Sequence, residues 1–132
     1  MKKGVLALLL AGFAWGEVDW ATSYERGLAQ AKEEQKLVMV MFSKESCKAC
    51  AYMKKEVFER PQVARYLDEH YVAIEVDIHD YPKTMGYKVI GTPTFYFLAP
   101  DGTTLGSALV GKAPEKLFLD ELRAVKASYI KH

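Results

Sequence analysis

The chain has 132 residues, 50% of them hydrophobic and 27% charged, with a formal net charge of +1. That is enough for one domain with a real core and too little for two. No basic run is present, so counterion-release binding to nucleic acid has no basis here, and two cysteines are the whole thiol complement.

Met1-Lys2-Lys3 is a short basic segment, Gly4 to Ala14 is apolar, and Ala14-Trp15-Gly16 ends in the small-x-small pattern that signal peptidases cut. The apolar run is shorter than the roughly 20 residues that cross a bilayer. The expectation is a signal peptide over 1–16 and a single domain over 17–132, periplasmic or secreted. Losing Lys2 and Lys3 leaves a nearly neutral mature chain that gives no electrostatic hint about partners. In an oxidising compartment its cysteines can persist as a disulfide.

Trp20 to Lys36 reads as an amphipathic helix with Trp20, Tyr24, Leu28 and Ala31 as its stripe and Asp19 or Thr22 as its cap. Leu37 to Phe42 is an unbroken apolar run, as a strand buried on both faces requires. Cys47 to Glu59 is a helix that breaks at Pro61, which opens a second segment to Glu69. Tyr71 to Ile78 alternates and is β-branched, hence a strand. His79 to Tyr87, with Pro82 and Gly86, is a loop or short helix. Thr94 to Ala99 and Thr103 to Val110 are strands joined by the turn Pro100-Asp101-Gly102, an antiparallel hairpin. Pro114 opens a last helix to about Tyr129, buried through Leu117, Phe118, Leu122 and Val125. Helices between strands followed by a hairpin give an α/β fold with a mixed sheet of about four to five strands and helices on both faces.

The chemistry centres on Cys47-Lys48-Ala49-Cys50, where a strand gives way to a helix. At a helix's first turn, unpaired backbone N–H groups and the helix dipole favour a thiolate; Lys48 adds to that field and Glu45 opposes it. Cys47 is then the attacking thiol and Cys50, nearly one turn on and more buried, the resolving one. A purely structural disulfide here would close a tiny loop and stabilise weakly. Zinc would need two more ligands from His70, His79 and His132, which are too widely spaced. Haem attachment would need a histidine at position 51, which is Ala51. A Cu(I) carrier using Cys47, Cys50 and His79 stays open, because soft thiolates select Cu(I).

The remaining features read as packing or solvated surface: the tyrosines, Met39, Met41, Met53 and Met85, the Lys54-Lys55-Glu56 run, and His79 between Asp77 and Asp80. Gly91-Thr92-Pro93-Thr94 precedes a strand. From position alone Pro93 is either an edge marker or a cis bond, and trans is the commoner state.

Taken together, the strand leading into Cys47-Lys-Ala-Cys50, then Gly91-Thr92-Pro93-Thr94, Asp101-Gly102 and Val110-Gly111, resemble the thioredoxin fold. The stretch from Cys47 through Phe58 and Val63 to Val76-Asp77 is similar to exported thioredoxin-like proteins and to the C-terminal thiol domain of transmembrane disulfide reductases. The resemblance implies a thiol–disulfide oxidoreductase with a redox-active Cys47–Cys50 disulfide and no cofactor or metal. It implies a cis Pro93 against the cysteines and a substrate groove lined by Gly91, Thr92, Pro93, Val110 and Gly111. The implied partners are exported cysteine-containing proteins and a membrane or soluble thiol redox partner, met by a monomer. Ser46 and Met41 stand where cytosolic thioredoxins have a tryptophan and a buried acid, which makes Glu75 a candidate substitute base.

Overall fold

The computed structural model describes residues 17–80 and 85–131. The expected signal segment and Pro82 lie outside them. The elements are α1 (Tyr24–Glu34), β1 (Leu37–Ser43), α2 (Lys48–Tyr52) running into a π turn (Met53–Val57), α3 (Pro61–His70), β2 (Tyr71–Asp77), β3 (Thr94–Leu98), β4 (Thr104–Val110) and α4 (Glu115–Lys131).

β1 is buried along its whole length. It lies inside a sheet of order β2-β1-β3-β4, parallel to β2 and antiparallel to β3, and β3 pairs antiparallel with β4. Both faces of β1 are covered, which is why its sequence has no polar alternation. Met39, Met41, Phe95 and Phe97 face Val63 and Leu67 of α3 and Phe118, Leu119 and Leu122 of α4. Val38, Val40, Phe42, Ile74 and Leu98 face the other way, under Ala31 of α1 and the half-buried Met85, Tyr87 and Val89. The parallel β1–β2 pair brings Ser43 and Asp77 to one end of the sheet. The antiparallel strands return Thr94 and Val110 to that same end. Four chain segments therefore converge just beyond β1, where Cys47 lies.

The first helix is shorter than its periodicity suggests. It begins at Tyr24, and its cap is Ser23, not Asp19 or Thr22; the Ser23 hydroxyl accepts the Arg26 N–H at 3.1 Å. Trp20 stands outside the helix because it is used elsewhere. It forms a strand-like bridge to Ala73, the Ala21 N–H donates to the Ala73 carbonyl at 2.9 Å, and the indole packs edge-on to Phe58. In α4 the buried set is Phe118, Leu119 and Leu122, with Val125 packed against the core, whereas Leu117 is 61% exposed. Three of the four expected stripe residues stay on the core side, and Leu119, one turn before Leu122, takes the place of Leu117.

Candidate active site

β1 ends in the buried Ser43, and Lys44, Glu45 and Ser46 run exposed to Cys47. Ser46 has φ +64°, a left-handed conformation that costs a non-glycine residue about 1–2 kcal/mol. Cys47 is the N-cap of α2 and not a residue of its first turn: its backbone is extended, and its sulfur accepts the Cys50 N–H at 3.1 Å. A cap position still points Sγ at the unpaired N–H groups of the first turn, the local field that favours a thiolate. Cys47 and Cys50 form a disulfide. Cys50 is 4% exposed and Cys47 is partly exposed, so a thiol from outside can reach only the first sulfur.

The second segment meets it directly. The Thr92 hydroxyl donates to the Cys47 sulfur at 3.4 Å, and the Thr92–Pro93 peptide is cis. The Thr94 hydroxyl donates to the Gly91 carbonyl at 2.6 Å, and the Gly111 N–H donates to the Pro93 carbonyl at 2.8 Å. Gly91, Thr92, Gly111 and Cys47, all half-buried, thus lie together around the buried Pro93. Val110, the register partner of Thr94, is 56% exposed at its edge, and Ile90 is 78% exposed. The loop leading to Ile90 is held by the Tyr24 and Tyr87 hydroxyls, 2.9 Å apart, and by the Tyr96 hydroxyl donating to the Lys88 carbonyl at 2.7 Å. Burial, with that phenol pair, pushes the Tyr87 hydroxyl well above the usual tyrosine range.

Two links here were not legible in the sequence. The buried Met53 sulfur accepts the Ala113 N–H at 3.4 Å, tying the helix that carries Cys50 to the loop after Val110-Gly111. The Lys112 ammonium lies 4.8 Å from the centre of the Tyr52 ring. The first uses the π turn, whose extra residue is seen in the Phe58 N–H donating to the Met53 carbonyl, and the second uses the last residue of α2 just before it. No local pattern announces a five-residue step.

Lys48 and Glu45 are exposed and Ala49 half-buried around the pair. Glu75 is the register partner of Met41, but its carboxylate is taken by the Ser43 hydroxyl at 2.7 Å and by Lys54 at 2.7 Å. Lys54 is therefore part of an ion pair instead of a merely solvated face. His79 follows β2, where its N–H donates to Asp77. Among the described residues no three His, Cys, Asp or Glu side chains come together as a metal-ligand group, so His79 does not join the cysteines as a third donor.

The family model for the thioredoxin-like domain matches residues 24–126. The chain belongs to the thioredoxin-like domain family. A thioredoxin from Thermus thermophilus superposes with a TM-score of 0.71 at 36% identity, over 83% of this chain and 87% of that one. The oxidised C-terminal domain of Neisseria meningitidis DsbD shares the fold, with a TM-score of 0.61 at 21% identity over 91% of this chain and 95% of that one. Mouse (Mus musculus) anterior gradient protein 3 is 23% identical over 108 residues, 81% of this chain and 65% of that protein. The chain spans between 9% and 65% of the lengths of the curated relatives it matches. Within this thioredoxin-like domain the Cys-x-x-Cys pair sits at the strand–helix junction with Pro93 alongside.

Proposed function

We propose that the protein is an exported thiol–disulfide oxidoreductase that reduces or shuffles disulfides of cysteine-containing proteins in the periplasm or outside the cell. The observation that supports it is the asymmetry of the pair: a reachable Cys47 sulfur under the Thr92 hydroxyl, bonded to a buried Cys50. Export is supported by the basic and apolar pattern of residues 1–16.

In the reducing direction the Cys47 thiolate attacks one sulfur of a client disulfide. A Cys47–client disulfide forms, and the client's other sulfur leaves as a thiolate that takes a proton from water. Cys50, having lost its proton, then attacks the Cys47 sulfur. The mixed disulfide breaks, the client's second sulfur leaves, and the Cys47–Cys50 disulfide forms again. Two electrons pass to the client, and a dithiol donor, a membrane or soluble thiol redox partner, returns them by the reverse exchange. Gly91, Thr92 and Pro93, with Val110 and Gly111, form the groove on which an extended client segment pairs with the Thr92 backbone.

Insulin reduction tests the reading. Cys47→Ser should abolish turnover and Cys50→Ser should accumulate mixed disulfides. Full activity in Cys47→Ser would overturn it. Mass spectrometry of the exported protein tests the leader, with a mature chain beginning at Glu17 expected.

A further inference from the structure

The groove beside Cys47 is electrically lopsided. Lys48 and Tyr52 are four positions apart on α2, hence on one flank of that helix. Lys112, next to Gly111, lies over the Tyr52 ring, so a second cation reaches the same flank from the β4 side. Neither Lys48 nor Lys112 is ion-paired among the described residues. Glu45 is exposed in the connection from β1. Asp77 ends β2 and Asp80 follows it, and β2 flanks β1 on the side away from β3 and β4. The Thr92, Val110 and Gly111 surface is on the β3–β4 side, the side of the two lysines. Two cations without an ion-pair partner on one flank leave a local positive field, and a carboxylate on a bound segment would complement it.

We propose that this groove selects extended cysteine-bearing segments with carboxylates beside the cysteine, Lys48 and Lys112 supplying the preference. The inference rests on the disulfide-exchange reading and adds the substrate class to it. Lys112 acts as a long-range attractor held in direction by the Tyr52 ring, at a cation–π distance. Its effect is on encounter, so it is strongest at low salt and fades as the Debye length falls from about 10 Å at 0.1 M to about 3 Å at 1 M. The exposed Ile90 and Val110 flank the same surface and give the segment apolar contact without altering the charge preference.

The test uses the full exported chain, reduced with dithiothreitol and desalted. It is mixed with three peptides that each hold one intramolecular disulfide and differ only in carrying Asp, Ser or Lys beside the attacked cysteine. Oxidised protein is counted by mass spectrometry after alkylation. Each rate is divided by the rate of the same peptide with dithiothreitol, which removes the effect of flanking charge on the disulfide itself. The expected result is a normalised rate about tenfold higher for the Asp than for the Lys peptide at low salt, a gap that closes at high salt, and a reversed order in Lys48→Glu/Lys112→Glu. Equal normalised rates, or an unchanged Asp-to-Lys ratio in the double variant, would overturn the inference while leaving disulfide exchange standing. Failure to exchange with any of the three peptides would overturn the exchange reading and the inference with it.

Discussion

Thr92 and Cys47, 45 positions apart in sequence, meet through a hydroxyl–sulfur hydrogen bond of 3.4 Å. The donor faces the one sulfur of the pair that solvent can reach. In the reduced protein a donor at that spot favours the thiolate over the thiol, because it bonds more strongly to the charged form. Thr92→Val keeps the shape and removes the donor. The expected loss is about 1 kcal/mol, roughly a fivefold fall in the thiolate-to-thiol ratio. Ultraviolet thiolate absorbance followed across a pH titration reads it directly. An unchanged titration midpoint in the variant would show that the contact does nothing for the thiolate.

The Met53–Ala113 bond joins the cysteine helix to the loop that follows Gly111. Leucine fills the same space but cannot accept the Ala113 N–H. Met53→Leu should therefore cost no more than about 1.5 kcal/mol in urea unfolding. The same change should raise KM for a disulfide peptide with kcat largely kept, since the loop positions the client and does not touch the reacting sulfurs. A fall in kcat at constant KM would instead mean that Met53 supports the cysteines themselves.

Gly27 is a buried glycine in the middle of α1, where alanine would ordinarily gain about 1 kcal/mol of helix propensity. Here a Cβ would sit 2.5 Å from both Cγ1 and Cδ1 of Ile74 and 3.1 Å from the Ala21 methyl. Overpacking of that kind costs about 1–3 kcal/mol, so the clash outweighs the propensity gain and Gly27→Ala should be destabilising. Ile74→Val opens part of that space. In a double-mutant cycle the pair should be less destabilising than the sum of the single variants. Strict additivity would place the cost elsewhere.

Much of this arrangement could be read from residue order. β1 announces itself because a strand covered on both faces needs an unbroken apolar run. Pro61 marks a helix start because its ring forbids the helix interior and suits the first position. Cys47-x-x-Cys50 carries its own chemistry, and the fold and the Thr92–Pro93 neighbourhood followed from the resemblance those residues support. What escaped depends on tertiary partners. Trp20 fits the helical spacing of α1, yet Phe58 and Ala73 hold it in a bridge. Leu117 and Leu119 have equal hydrophobic claims, and only the angle at which α4 meets the sheet decides between them. Glu75 reads as a carboxyl on a central strand, yet β2 is the strand at one edge of the sheet, and the ties of Glu75 to Ser43 and Lys54 come from two other elements. Met53 and Ala113 are 60 positions apart, and a weak sulfur acceptor leaves no trace in composition.

Asp68 supplies a prediction about pH. Its carboxyl is raised above the ordinary value of 3.8, first by burial and further by the nearby Asp19 charge; the hydrogen bond from the Asp19 N–H and the Lys36 charge oppose this. A carboxyl with a higher pKa in the folded than in the unfolded chain binds more protons when folded. It therefore favours folding at low pH, and that contribution is lost as the pH rises through the folded value. Asp68→Asn keeps an oxygen for the Asp19 N–H and carries no charge at any pH. Below about pH 3.8 the acid is protonated in both states, and the two proteins should differ least. As the pH climbs above that value, the variant should gain on the wild type until the folded-state carboxyl is fully ionised, after which the difference stays constant. Urea midpoints for both proteins across the acid range, at constant ionic strength, measure this. A difference that is flat with pH, or one that grows as the pH falls, would mean that the Asp68 charge is stabilised in the folded chain by Lys36 and the Asp19 amide more than it is penalised by burial.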